Sequence, residues 1–333
     1  MEEIIGVGKI NQSQWDTLIK ASPVATWFQT REAFGFFDSL SFMEAFVVAV
    51  ENDGELKGVV VGYVQKDGGR LKQYFSRRAI ILGGPLLSEN ISDQELEALL
   101  RSVKSHLRKK AIYIETRNFN DYSRWRSVFE QCGFRYEPHY NIHVDTSTLD
   151  IVHQNIGKSR KRDIRVSLRE GAMIVSQPGL EQVRDYYLIL SDLYKTRVKT
   201  PLVPFEYFEK LYGISSSRFL LVEYNSEIVG GTVCVGLLGK AFYEMYVCGK
   251  DRDYKNIFPS ELATYAGLQF AAGNGYPLFD MMGAGRPDDG GYGVRDFKLK
   301  FGGELVEQGR FVYVCSRVLY FIGTMGIQVL KKI

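Results

Sequence analysis

The stretch LFDMMGAGRPDDGGYGVRDFKLKFGG, Leu278 to Gly303, joins an apolar segment to a charged, glycine-rich one. Pro277 to Met282 reads as a short strand. Glycines recur from Gly283 to Gly293, and glycine lets a backbone take positive φ and approach a ligand closely. Asp280, Arg286, Asp288, Asp289, Arg295, Asp296 and Lys298 set many charges beside that strand. A strand end leading into such a loop is a common place for a site on an α/β sheet. Pattern alone supports a plain surface loop equally well.

Working backwards, a helix carrying Leu262, Ala266 and Phe270 precedes this strand, with Ser260 as its expected cap and Gly273 and Gly275 at its end. Before it come Phe219 to Glu223, a turn at Asn225-Ser226, the return Ile228 to Leu238, and a strand from Ala241 to Val247. The first half has the same order. Phe46 to Val50 leads through Asp53-Gly54, a hairpin signal, into Leu56 to Val64 and then Ile80 to Leu87. Ser92 and Glu95 form a capping box on a helix whose stripe is Leu96, Leu99, Leu100, Val103 and Leu107. A strand from Ala111 to Thr116 follows, and Arg117 opens a polar loop at its end. Glu95 and Glu261, and likewise Ala111 and Pro277, are offset by 166 residues. That spacing implies two copies of one hairpin–strand–helix–strand unit. The expected domains are 1–150 and 151–317, followed by an apolar helix over 318–333.

At 333 residues with 45% apolar and 13% aromatic content, two sizeable cores are affordable. A net charge of +3 creates no global field that demands nucleic acid. Cys132, Cys234, Cys248 and Cys315 are scattered, and the N-terminus shows no basic-then-apolar signal segment. Buried free thiols in a reducing cytoplasm are expected. Residues 4–22 read as a first helix that Ser13 could cap, and the aromatics of Thr26 to Phe37 as core. Val318 to Leu330 is too short to span a bilayer. It reads as a last helix packed on its domain or, alternatively, as one in transient contact with a membrane surface.

The halves are linked by Ile156 to Arg169, where Ile164 and Leu168 would share one helix face and Lys158, Arg162, Arg165 and Arg169 the rest. That basic run is a solvated face or a phosphate or tRNA contact. Nucleophile elbows, Walker loops and dinucleotide fingerprints do not occur. His139 and His143 lie in a strand-like segment, about 13 Å apart, too far to share a metal, so no metal is expected. What remains is a cation beside glycine-rich backbone: Lys298, next to Phe297, could stabilise an oxyanion or a phosphate.

The ordered strings SRKRDIRVSLREGAMIV, YKTRVKTP, AFYEMYVCG, FPSELATYAGLQFAAGNGYPLFDMMGAG and FKLKFGGELV resemble the FemAB-like peptidyltransferases. The resemblance covers roughly residues 20–317 and is more specific in the second half. It implies an α/β (α+β) fold of two tandem GNAT-like domains, each a mixed central sheet flanked by helices. It also implies transfer of an amino acid from aminoacyl-tRNA to the amine of a nucleotide- or lipid-linked peptidoglycan precursor, at the cytoplasmic face and without a cofactor. On that likeness Lys298 acts at the reacting carbonyl beside Phe297, Arg197 of YKTR grips the precursor's diphosphate, and Tyr243 lines the cleft. Arg31 is the nearest first-domain candidate for a second diphosphate contact, with Arg117 a further substrate-binding candidate. Some members carry a long coiled-coil arm, for which Phe205 to Arg218 leaves no room. The alternatives are an acyltransferase that uses acyl-coenzyme A as donor, acting on a sugar or amine, and a binding module without chemistry. Against the former, Ser88 to Ser92 and Lys250 to Ser260 lack the glycines that hold a pyrophosphate.

Overall fold

The computed structural model describes residues 1–66, 76–290 and 293–330. The loop positions 291–292 and Lys331-Lys332 fall outside them. Up to residue 139 the chain forms β1 (Glu2–Ile5), α1 (Gln12–Ala21), α2 (Arg31–Asp38), β2 (Met43–Asn52), β3 (Glu55–Gln65), β4 (Arg78–Leu82), β5 (Leu86–Leu87), α3 (Asp93–Leu107), β6 (Tyr113–Arg117), α4 (Arg126–Gln131) and β7 (Arg135–Glu137). There follow β8 (Tyr140–Asp145), α5 (Leu149–Asn155), α6 (Lys158–Arg169), β9 (Met173–Val175), α7 (Leu180–Leu193), a π turn over Tyr194–Val198, α8 (Phe205–Tyr212), β10 (Ser217–Tyr224), β11 (Glu227–Leu237) and β12 (Ala241–Gly249). The last elements are α9 (Pro259–Gly273), β13 (Leu278–Gly283), α10 (Gly293–Leu299), β14 (Glu304–Glu307), β15 (Arg310–Val314) and α11 (Arg317–Leu330).

The internal repeat is real in three dimensions. In the first unit β2, β3 and β4 run antiparallel in turn, α3 crosses over, and β6 lies parallel to β4. In the second unit β10, β11 and β12 do the same, α9 crosses over, and β13 lies parallel to β12. Both hairpins turn on residue pairs with positive φ, Asp53-Gly54 and Asn225-Ser226, as tight two-residue turns require. Each hairpin carries a register irregularity just before its turn, at Val50/Glu51 and at Val222/Glu223. The stripe of α3 is buried against Val48, Val50 and Val60, and its capping box forms as expected. Each unit is thus a mixed sheet flanked by helices.

The units are not contiguous in sequence. Met1–His139 with Glu307–Ile333 form one, and Tyr140–Val306 the other. The strand β8, inside the expected first domain, pairs with β13 in the second sheet. The strand β15, inside the expected second domain, sits between β6 and β7 in the first. Alternating apolar residues mark a strand but do not name its partner, so boundaries at 150 and 317 could not register this exchange.

Local corrections follow the same logic. Residues 4–22 divide into β1 and α1, and the cap of α1 is Asn11, whose Oδ1 accepts from the Ser13 and Gln14 amides at 3.0 and 3.2 Å. Ile80 to Leu87 is two strands, split at Gly83 and Gly84, both at positive φ. A Cβ on Gly84 would lie 2.7 Å from the Tyr122 ring, so the break is built around that contact. Leu168 is 46% exposed, because the buried stripe of α6 is Arg160, Asp163, Ile164 and Ser167. Of the thiols, Cys132, Cys234 and Cys248 are buried and Cys315 is half-buried.

Phe311 of β15 stacks on Phe129 of α4 with ring centroids 4.0 Å apart, and both are buried. Phe311→Ala should destabilise the first unit by about 3 kcal/mol or more. Urea unfolding followed by Trp fluorescence checks this; a loss below about 1 kcal/mol would mean β15 contributes little to that core.

Candidate functional site

In the second unit the parallel pair β12–β13 runs for only three residue pairs, Ala241–Tyr243 with Leu278–Asp280. Past that point both strands become irregular. The ladder between β11 and β12 shifts register between Val233 and Cys234. The ladder of β13 with β8 shifts between Asp280 and Gly283, where Met282 takes a φ of 57°. Such breaks re-aim side chains and are enriched beside functional sites.

Helix α10 returns Lys298 to this point. Its Nζ donates to the carbonyl oxygens of Met281 and Gly283, the latter at 2.9 Å, and the side chain is buried. Arg295, one turn earlier, donates to the carbonyls of Ala284 and Arg286 at 2.8 and 2.6 Å. The described part of the glycine-rich loop is therefore pinned to α10 by two cations.

Two buried carboxylates face this lysine electrostatically. Asp280 accepts from the Met282 amide at 2.6 Å and from Asn141 Nδ2 at 3.1 Å, and His143 Nε2 lies 3.4 Å from it. Glu244, on β12, receives a long bond of 3.4 Å from Thr232 Oγ1, and its Oε2 has no hydrogen bond among the described residues. Burial pushes Glu244 up to about 7, against the pull of the Lys298 charge and the nearby Thr264 and Thr232 hydroxyls. Burial lowers Lys298, while Glu244 and Asp280 act to raise it. The pair is a coupled system in which each group's charge favours the other's.

Phe297 is half-buried and packs on Phe301 at 5.4 Å. The Arg160 guanidinium lies 4.7 Å from the Phe297 ring centroid and bonds Glu261 Oε1 at 2.7 Å. Arg160 thus ties α6, α9 and α10 together. In the sequence Arg160 is hidden within a basic run. The available signal was the i, i+3, i+4, i+7 stripe of Arg160, Asp163, Ile164 and Ser167, obscured because three of the four are polar.

The remaining candidates are dispersed. Tyr243 is 1% exposed, so it belongs to the interior and not to the wall of an open cleft. Arg197 is exposed on the π turn and lines a cavity of about 650 Å³ with Lys250, Arg252, Asp185, Asp192 and Asp253. Neither Lys298 nor Tyr243 lines that cavity. Lys158, Arg162 and Arg165 are exposed on α6, with Arg162 held by Asp163 at 2.9 Å. Arg31 and Arg117 lie in the first unit, and both are engaged by carboxylates. Arg31 bonds Asp16 at 2.9 Å and Gln12 at 2.7 Å. Arg117 bonds Glu115 at 2.9 Å, and Arg310 reaches the same oxygen at 2.6 Å. Burial alone would raise Glu115, but these two guanidinium groups hold it below the usual carboxylate range. At the start of α9, Pro259 occupies the first turn and Asp251 accepts from the Ser260 amide and hydroxyl at 2.9 and 2.6 Å. Ser260 is therefore not the cap, and a carboxylate already sits at that helix end. Among the described residues no group of three His, Cys, Asp or Glu could hold a metal ion.

No protein-family model matches this chain, and no curated protein matches it in sequence. Solved structures do match in fold. The crystal structure of FemX superposes with a TM-score of 0.73 at 17% identity, covering 97% of this chain and 99% of FemX. L-PGS from Bacillus licheniformis gives 0.58 at 14%, covering 96% and 97%. A tandem GNAT protein from the clavulanic acid biosynthesis pathway gives 0.61 at 11%, covering 95% and 98%. The chain has a FemAB-like fold built of two GNAT-like units. Identities this low carry the fold and not the substrate.

Glu244 provides a pH test of the buried cluster. A carboxyl raised from its ordinary value near 4.5 to about 7 contributes stability below 4.5 that is lost as pH rises through 7. Between those limits wild type should lose roughly 3 kcal/mol relative to Glu244→Gln. Denaturant unfolding of both proteins at several pH values measures it; parallel curves would mean Glu244 titrates normally.

Proposed function

We propose that this protein is an acyltransferase that moves an aminoacyl group from aminoacyl-tRNA to an amine of a nucleotide- or lipid-linked cell-envelope precursor. The observation that carries the reading is the Lys298 ammonium, buried and held on two β13 carbonyls where β12 and β13 stop pairing. The FemX and L-PGS likenesses support it at the level of fold.

In this reading the acceptor amine attacks the ester carbonyl of the donor. A C–N bond forms, negative charge builds on the carbonyl oxygen, and the C–O bond to the ribose then breaks. The amine loses a proton and the departing ribose oxygen gains one. Two N–H groups of Lys298 are taken by backbone carbonyls, so among the described residues one is left for that oxygen. A donor fixed in advance at a developing oxyanion, out of bulk water, gives up little reorganisation energy during reaction. Arg197 would hold a substrate phosphate from its own cavity, and Lys158, Arg162 and Arg165 would meet the tRNA backbone. A coenzyme A donor fits less well, because Asp251 already occupies the end of α9, where a pyrophosphate would otherwise find helix amides.

Lys298→Ala should lower kcat by about 100-fold or more with a smaller change in KM, and Arg197→Ala should mainly raise the acceptor KM. The assay is incubation with mixed charged tRNA and labelled lipid-linked precursor, read by mass spectrometry. Full turnover in the Lys298 variant would overturn the mechanism. Stabilisation of the protein by acetyl-coenzyme A but not by charged tRNA would transfer the reading to a coenzyme A-dependent enzyme.

A further inference from the structure

Acyl transfer to an amine must carry one proton from the attacking nitrogen to the departing ribose oxygen. Glu244 and Asp280 are both buried, and Lys298 commits two of its N–H groups to β13 carbonyls. His143, on β8, is more open: 16% of its side chain is exposed, against none of Asp280. It has no part in the oxyanion chemistry of Lys298.

Strand register sets its position. His143 stands directly opposite Asp280 in the antiparallel ladder of β8 and β13, so the two side chains share one face of the sheet. Its Nε2 lies 3.4 Å from Asp280 Oδ2 and meets no hydrogen-bond partner among the described residues. That separation is longer than a closed hydrogen bond, and catalytic pairs commonly tighten only when substrate is bound. Asp280 itself is fixed: Oδ1 accepts from the Met282 amide at 2.6 Å, and Oδ2 from Asn141 Nδ2 at 3.1 Å. A carboxylate is an acceptor only, so the ring nitrogen that faces it is the one to carry the hydrogen, and the lone pair is then on Nδ1. Lys298 is anchored beside the same carboxylate. Its Nζ is bound by the carbonyls of Met281 and Gly283, one and three residues further along β13, and the Asp280 charge favours its ammonium form. A base, the carboxylate that orients it and a cation for the oxyanion are thus gathered around one strand break, as acyl transfer requires.

We infer that His143 is the general base of this site, with Asp280 as its positioning residue. The inference rests on the acyltransferase reading and names the proton carrier within it. The acceptor amine attacks the ester carbonyl, and as the C–N bond forms Nδ1 of His143 takes the amine proton. As the C–O bond to the ribose breaks, the same nitrogen gives that proton to the departing oxygen. His143 ends neutral, and atoms and charge balance without a further reactant. Lys298 keeps its proton throughout and supplies only a hydrogen bond to the carbonyl oxygen.

With mixed charged tRNA and labelled lipid-linked precursor, His143→Ala should lower kcat by about 100-fold or more, and free imidazole should raise the variant's rate about tenfold or more without raising that of wild type. Rescue separates a proton carrier from a residue that merely holds the strand, and circular dichroism confirms that the variant folds. Full turnover in His143→Ala beside an active wild type overturns this inference alone. A wild type that transfers nothing overturns the acyltransferase reading and the inference with it. A folded, slow variant that imidazole fails to restore assigns His143 to structure and overturns the inference too. A second measurement needs no substrate. Nitrogen NMR of the wild type in mildly alkaline buffer, where imidazole is ordinarily neutral, should show His143 protonated on Nε2, with the ring assigned by its loss in His143→Gln. Protonation on Nδ1 would overturn the inference.

Discussion

Removing an ammonium from water costs several kcal/mol unless oxygens replace its hydration shell. Lys298 meets that condition with the carbonyls of Met281 and Gly283 and with the fields of Glu244 and Asp280. Those oxygens face it because β13 is irregular there, with Met282 at positive φ and a register shift against β8. The strand break, the short helix α10 and the buried charge are therefore one device: take away the lysine and the β13 carbonyls and Glu244 are left without their cation.

Among the described residues only the second unit carries this device, and the two strand pairs differ accordingly. In the first unit β4 and β6 stay paired over five residues, Arg78–Leu82 with Tyr113–Arg117. In the second, the equivalent pair closes over three. An acidic residue lies on the strand after the crossover in each unit, Glu115 on β6 and Asp280 on β13, one position out of the 166-residue offset, and their surroundings differ. Glu115 is neutralised by Arg117 and Arg310, whereas Asp280 is satisfied by an amide, an asparagine and a nearby histidine. In one copy of the fold the charges are engaged in internal pairs, and the other buries a lysine within electrostatic reach of a carboxyl that burial pushes up to about 7.

Arg160 shows how the support of such a site escapes notice. It is a buried arginine that packs on Phe297 and bonds Glu261, so it fixes the helix that presents Lys298. Its position in a run of basic residues suggested solvent, and only the packing of α6 against α9 separates it from the exposed Arg162 and Arg165.

The sequence by itself determined the repeated unit, the hairpin turns, the capping box of α3 and the order of elements within each copy. These are local properties, set by periodicity, turn chemistry and caps within a few residues of one another. It also singled out Lys298, because a lysine beside glycine-rich backbone at a strand end is visible in a line of letters. Only the tertiary structure decided that β8 and β15 change sheets, that Tyr243 is interior, that Arg31 and Arg117 are paired, and that Glu244 is buried within electrostatic reach of Lys298. The strand exchange and the Lys298–Glu244 proximity depend on partners far away in sequence, and hydrophobic alternation specifies that a strand is buried without specifying beside what.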